Sequence, residues 1–80
     1  MGLDGGVAVV LYNDAHNTMD FVVAALMRVF GHSAALAAKY MREAHDQGRA
    51  IAEVEDREQA VRHKQQLTML GLTAETEAVT

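Results

Sequence analysis

The spacing of apolar residues changes several times along the chain, and each change marks an element. Val7-Ala8-Val9-Val10-Leu11 is an unbroken apolar run, rich in β-branched residues and too short to span a membrane, so it predicts an interior strand over about 7–12. From Met19 onward the spacing becomes helical: Met19, Val22, Val23, Leu26 and Phe30 predict a helix over about 18–30, stopped by Gly31. Asn17 is the expected cap of that helix and Thr18 its first residue, with Asp20 reaching back toward the cap. Ser33 restarts the chain into an Ala-rich helix over about 34–47 that carries Ala37, Tyr40, Met41, Ala44 and His45 toward one side and ends at Gly48. Residues 50–55 alternate from Ile51 onward as a half-exposed strand would. Asp56-Arg57-Glu58-Gln59 has the capping-box form and opens a third helix, whose apolar face is Ala60, Val61, Leu67 and Leu70 before Gly71. Residues 73–79 alternate weakly and predict an edge strand whose glutamates discourage further pairing.

The expected order is therefore β-α-α-β-α-β. It implies a single small α+β domain, with three helices packed on one face of a three-stranded antiparallel sheet. Residues 1–6, with glycines at 2, 5 and 6, are expected to form a flexible lead, and 7–80 the domain itself. At 80 residues only about 60% of the unfolded surface can be buried, so every core position counts and a second domain has no room. Half the residues are apolar, yet four are aromatic and none is Trp, which implies a core of small pieces closely fitted. The chain has no Cys, so disulfides, thiol chemistry and thiolate metal sites are excluded. A formal charge of −4 with no basic stripe argues against a nucleic-acid surface. No signal-peptide pattern opens the chain, which predicts a cytoplasmic protein with no membrane segment.

Candidate chemistry concentrates in the polar turn between the first strand and the first helix, Tyr12 to Met19. Asn13 and Asp14 there can serve their own backbone, as Asx turns do. A metal reading is weak, because His16, His32, His45 and His63 fall on four separate segments and none shows the spacing of ligands on one helix face. A hydrolytic His-Asp arrangement lacks a nucleophile, since Ser33 and Thr18 have places at helix starts. A third possibility is a binding recess: His45 follows Met41 by four residues and so shares its helix face, Met19 opens the other helix, and Asn13 and His45 can stand as polar groups at an apolar mouth.

The runs Val9-Val10-Leu11-Tyr12-Asn13-Asp14-Ala15-His16-Asn17-Thr18-Met19-Asp20-Phe21 and Met41-Arg42-Glu43-Ala44-His45-Asp46-Gln47-Gly48-Arg49-Ala50 resemble the ClpS adaptor family of the bacterial N-degron pathway. The likeness extends through residues 7–60 without a gap. It implies a protein that is not an enzyme and needs no cofactor. Such an adaptor recognises proteins whose first residue is Leu, Phe, Tyr or Trp and hands them to the N-terminal domain of a Clp AAA+ unfoldase of the ClpA or ClpC type. By resemblance, Asn13, Asp14 and His45 form the α-amino site, and Leu11, Asn17, Met19, Val22, Met41 and Ala44 wall the side-chain recess. A free N-terminus is a cation with three N–H donors, which suits acceptors at fixed positions such as Asn13 Oδ1 and a neutral ring nitrogen of His45.

The departures from the family pattern carry expectations too. Ala15 stands where Asp or Pro is frequent, and Ala44 and Ala74 stand where larger residues are common, which implies less negative charge and a wider recess. On the third helix Glu58 and Ala60 remain, but Val61 and His63 replace a charged pair on the surface associated with unfoldase docking, leaving Glu58, Arg62 and His63 as its candidates. With that change and a lead of six residues, the chain is expected to read N-degrons better than it delivers them. An interaction domain of the same fold that binds or inhibits an unfoldase without reading N-termini is the alternative.

Overall fold

The elements follow one another as β1 (Val7–Tyr12), α1 (Met19–Phe30), α2 (Ala34–Gln47), β2 (Arg49–Glu55), α3 (Arg57–Met69) and β3 (Ala74–Ala78), in the expected order. The structure is a computed structural model that describes residues 6–79; the expected lead over residues 1–5 and Thr80 lie outside the described residues. Gly6, assigned to that lead, is tied in: its carbonyl oxygen accepts from the Val79 N–H at 3.1 Å.

The sheet order is β2-β1-β3, with both pairings antiparallel. The continuous apolar run is thus the middle strand, buried on both faces. Val7, Val9 and Leu11 point at the helices and join a core with Leu26, Leu67 and the small residues Ala25, Ala37, Ala44, Ala52 and Ala60. Small side chains let the helices approach the sheet closely, at packing that leaves little room for error. On the opposite face Val10 is also fully buried. Arg49 of β2 and Glu77 of β3 meet across β1 through two bonds of 2.9 and 3.0 Å, with the guanidinium 5.7 Å from the centre of the Tyr12 ring. This exposed pair works as a cover for the middle strand more than as a source of stability.

Polar caps open the three helices. Ser33 accepts from Leu36 N–H and Asp56 from Gln59 N–H, as expected. For α1 the expectation is corrected: Thr18, not Asn17, is the cap, and its Oγ1 accepts from Phe21 N–H at 3.1 Å. Thr18 is extended, with ψ 158°, and the helix begins at Met19. Gly31 and Gly48 close α1 and α2 at φ 74° and 94°, where a Cβ would be strained.

Two further differences concern which side chains face inward. The β1–β2 register runs from Val9 opposite Glu53 to Val10 opposite Ile51, so Ala52 is an extra residue, a β-bulge. Ala50 and Ala52 both face the core, while Ile51 and Val54 turn outward and are about half exposed. A bulge interrupts the ladder, and the Ala52 carbonyl instead accepts from His32 Nε2 at 2.9 Å. His32 stacks on Phe30, which meets His63 edge-on at 4.9 Å. On α3 the inward face is narrower than expected: Ala60 and Leu67 are buried and Leu70 packs against them, but Val61 is exposed.

Candidate functional site

The turn after β1 is fastened from several sides before it reaches α1. Tyr12 N–H donates to Thr73 O at 2.9 Å and Asn13 N–H to Gly48 O at 3.0 Å, so the middle strand ends bonded to the chain on both flanks. The Asp14 carboxylate accepts from the backbone N–H groups of His16 and Asn17 at 2.9 and 3.0 Å, and from Asn17 Nδ2 at 3.2 Å on each oxygen. Burial alone would push its pKa up, but the bonds from Asn17 and His16 outweigh it and hold the group below its ordinary range. Asn17 Nδ2 also donates to Gly71 O at 2.8 Å, and Thr73 Oγ1 lies 3.5 Å from Asp14. Asp14 therefore shapes the turn as an Asx residue and keeps a fixed negative charge there.

Above this turn lies a cavity of about 330 Å³ between β1, α1 and α2. The end of β1 and the turn line it with Leu11, Tyr12, Asn13, Asp14, Asn17 and Thr18; α1 adds Met19 and Val22, and α2 adds Met41, Ala44 and His45. All nine residues expected at the amine site and recess are thus brought together in one place. Tyr12 and Thr18 were not expected there; their signals were adjacency to Asn13 and the capping position next to Met19. Ala74 is buried in the core and does not line the cavity, so its small size does not widen it, whereas Ala44 is part of the wall.

Apolar and polar groups share the lining, with Asp14 and Asn17 half-buried on the turn side. Leu11 and Ala44 are buried, Val22 and Met41 are half-buried, and Asn13 and His45 are exposed at the mouth. His45 Nδ1 lies 3.3 Å from Asp46 Oδ1. A carboxylate only accepts, so the ring donates from Nδ1, and in the neutral form Nε2 is left as an acceptor. A recess with these walls suits an apolar group attached to a cationic N–H donor.

The candidate docking residues are placed apart from the cavity, on α3. Glu58 and Arg62 are exposed, and Arg62 Nη1 donates to Gln59 at 3.0 Å. His63 turns the other way: its Nδ1 meets Glu55 at 2.8 Å, with less than a fifth of either side chain exposed (17% and 16%). Among the described residues no three His, Asp or Glu groups are arranged to hold a metal ion, and no helix is long and apolar enough to cross a membrane.

Comparison with known proteins gives three consistent findings. The family model described as "ATP-dependent Clp protease adaptor protein ClpS" matches residues 5–75. A curated relative from Syntrophus aciditrophicus (strain SB), the "ATP-dependent Clp protease adapter protein ClpS", is 44% identical over 46 residues, which are 58% of this chain and 43% of that protein. The match thus spans less than half of the relative's length. Among solved structures, that of Agrobacterium tumefaciens ClpS2 bound to L-phenylalaninamide is similar with a TM-score of 0.91 at 29% identity, covering 95% of this chain and 99% of that one.

Proposed function

Because the chain belongs to the ClpS family of ATP-dependent Clp protease adaptor proteins, we propose that its cavity reads the first residue of a polypeptide by its free α-amino group and a large apolar side chain. The observation that carries this reading is the joining of Asn13, Asp14 and His45 to the apolar walls of one cavity. Asn13 Oδ1 and His45 Nε2 accept from the ammonium, and Asp14 adds a fixed negative charge nearby. Leu, Phe, Tyr or Trp then enters between Leu11, Met19, Val22, Met41 and Ala44, where burial of such a side chain contributes roughly 1.5–3 kcal/mol. The ligand of the Agrobacterium relative supports the assignment: L-phenylalaninamide is a phenylalanine with a free amino group and an amide where a chain would continue. No bond is broken in this scheme, and the cavity binds without catalysing.

The captured protein is then handed to a Clp unfoldase that docks on the exposed side of α3 through Glu58 and Arg62. His63, held by Glu55, contributes through the shape of the helix surface rather than as a free charge.

Peptide titration tests the reading. A Phe-initiated peptide is expected to bind and stay intact, and its N-acetylated form to lose binding. Acetylation removes the charge and leaves acceptors unpaired at about 1–3 kcal/mol each. Equal affinity for the two forms would show that the cavity does not read N-termini.

A further inference from the structure

The cavity does not close at Met19. Beyond Met19 and Met41 lies a second recess, of about 270 Å³, walled by Met19, Met41, Arg42, His45 and Asp46. Three of these side chains, Met19, Met41 and His45, are shared with the first cavity. Consecutive Cα atoms of a peptide are about 3.8 Å apart, so a chain whose first residue is seated against the shared walls sets its second residue over their far side. Resting on the reading of the first cavity, we infer that this second recess takes the side chain of the ligand's second residue and that Arg42 makes it favour an acidic one.

The charges around the recess decide the preference. Arg42 and Asp46 are four residues apart on α2, a spacing at which opposite charges on a helix can pair. Yet no ion pair among the described residues engages Arg42, whereas Asp46 lies 3.3 Å from the His45 ring. Asp46 is turned to the ring that both recesses share, and Arg42 is the cation of this lining, unpaired among the described ion pairs and able to face a ligand. Its guanidinium presents a planar fork that receives a carboxylate through two parallel N–H bonds. In the same lining, Met19 and Met41 offer adaptable apolar contact to the methylene stem of a glutamate. A lysine at the same place would meet Arg42 as a like charge. The formal charge of −4 acts over the whole surface in the opposite sense, drawing basic peptides, so an acidic preference can arise only from this local group.

The test uses three peptides that begin Phe-Glu, Phe-Ala and Phe-Lys and share one Ser/Gly tail. They are titrated by fluorescence anisotropy against the wild type and Arg42→Glu at low and high salt. At low salt the wild type is expected to bind Phe-Glu about three- to fivefold more tightly than Phe-Lys, the scale of one exposed charge pair. The ratio should shrink at high salt and invert in Arg42→Glu, whose exposed position leaves folding intact. Equal affinities for the three peptides, or a ratio that Arg42→Glu does not move, overturn the second-residue recess; Phe-Ala binding in the same experiment leaves the first-residue reading standing. Failure of all three peptides to bind removes both.

Discussion

The side-chain amide of Asn17 donates to the carbonyl oxygen of Gly71 at 2.8 Å, joining two turns that lie 54 residues apart in the sequence. The same amide holds both oxygens of Asp14, so one half-buried side chain fixes the turn that carries Asn13. Asn17→Ala is expected to lower stability by about 1–2 kcal/mol, read from urea denaturation, and to weaken binding of a Phe-initiated peptide. Asn17→Asp should be worse on both measures, since it loses the donor and sets a second carboxylate beside Asp14. An unchanged unfolding midpoint in both variants would mean that the turn holds without this tie.

Asp14 links the site to acid stability. Its folded-state pKa is held below the ordinary 3.8 by the bonds from Asn17 and His16, which more than offset the effect of burial. A depressed carboxylate contributes stability that is fully present above the unfolded-state value and is lost as pH falls through the folded one. The stability gap between wild type and Asp14→Asn should therefore be wide at neutral pH and narrow below about pH 4. A gap that stays constant down to about pH 2.5 would show that the carboxylate is not the stabilising group.

His45 should matter to binding rather than to folding, since its exposed ring lines both recesses. Its proposed role needs a ring nitrogen as acceptor, so His45→Ala is expected to weaken binding of a Phe-initiated peptide by about 1–3 kcal/mol at an unchanged urea midpoint. His45→Gln, which keeps a side-chain acceptor, should recover part of that loss. Affinity of His45→Ala equal to that of the wild type would remove His45 from the amine site.

Met19 lies at the mouth, about half exposed, and belongs to both recesses. First residues branched at Cβ bring bulk to the mouth itself, where Met19 stands. Met19→Ala is expected to bind Ile- and Val-initiated peptides more tightly than the wild type does, with little loss of stability. Loss of Phe binding without any gain for Ile or Val would identify Met19 as a support of the wall instead.

Midway along β2, His32→Ala should leave the Ala52 carbonyl of the bulge without its donor. The expected cost is about 1–2 kcal/mol by chemical denaturation, with peptide affinity unchanged because His32 lines neither recess. A fall in affinity as large as the fall in stability would reveal coupling between the bulge and the cavity.

The element order was legible because local signals agreed with one another: Ser33 and Asp56 open helices, Gly31 and Gly48 close them, and the run from Val7 to Leu11 has the composition of a strand covered on both faces. What escaped depended on contacts between distant segments. Asn17 and Thr18 are both good caps, and the choice between them follows from the pull of Asp14 and Gly71 on Asn17. The bulge at Ala52 leaves no mark in the spacing of residues 50–55, since an alternating pattern does not state which face is inward. Exposed Val61 looked like a core residue because Ala60, beside it, is one. At the cavity, the residues beside Asn13 and Met19 were within reach of sequence reasoning; the second recess was not, because Arg42 and Asp46 gain a shared purpose only once α1 is laid against α2.

The backbone around Asn13 is bonded to Gly48 on one flank, and through Tyr12 to Thr73 on the other, before any ligand arrives. Capture then requires no ordering of the turn, and encounter should proceed at the rates of pre-organised partners, about 10⁵–10⁷ M⁻¹s⁻¹ whichever first residue is presented. On the proposed reading, differences among Leu, Phe, Tyr and Trp are expected in how long each stays. The proposed hand-over to an unfoldase would set the useful range of that lifetime: long enough to survive the transfer, short enough to let go.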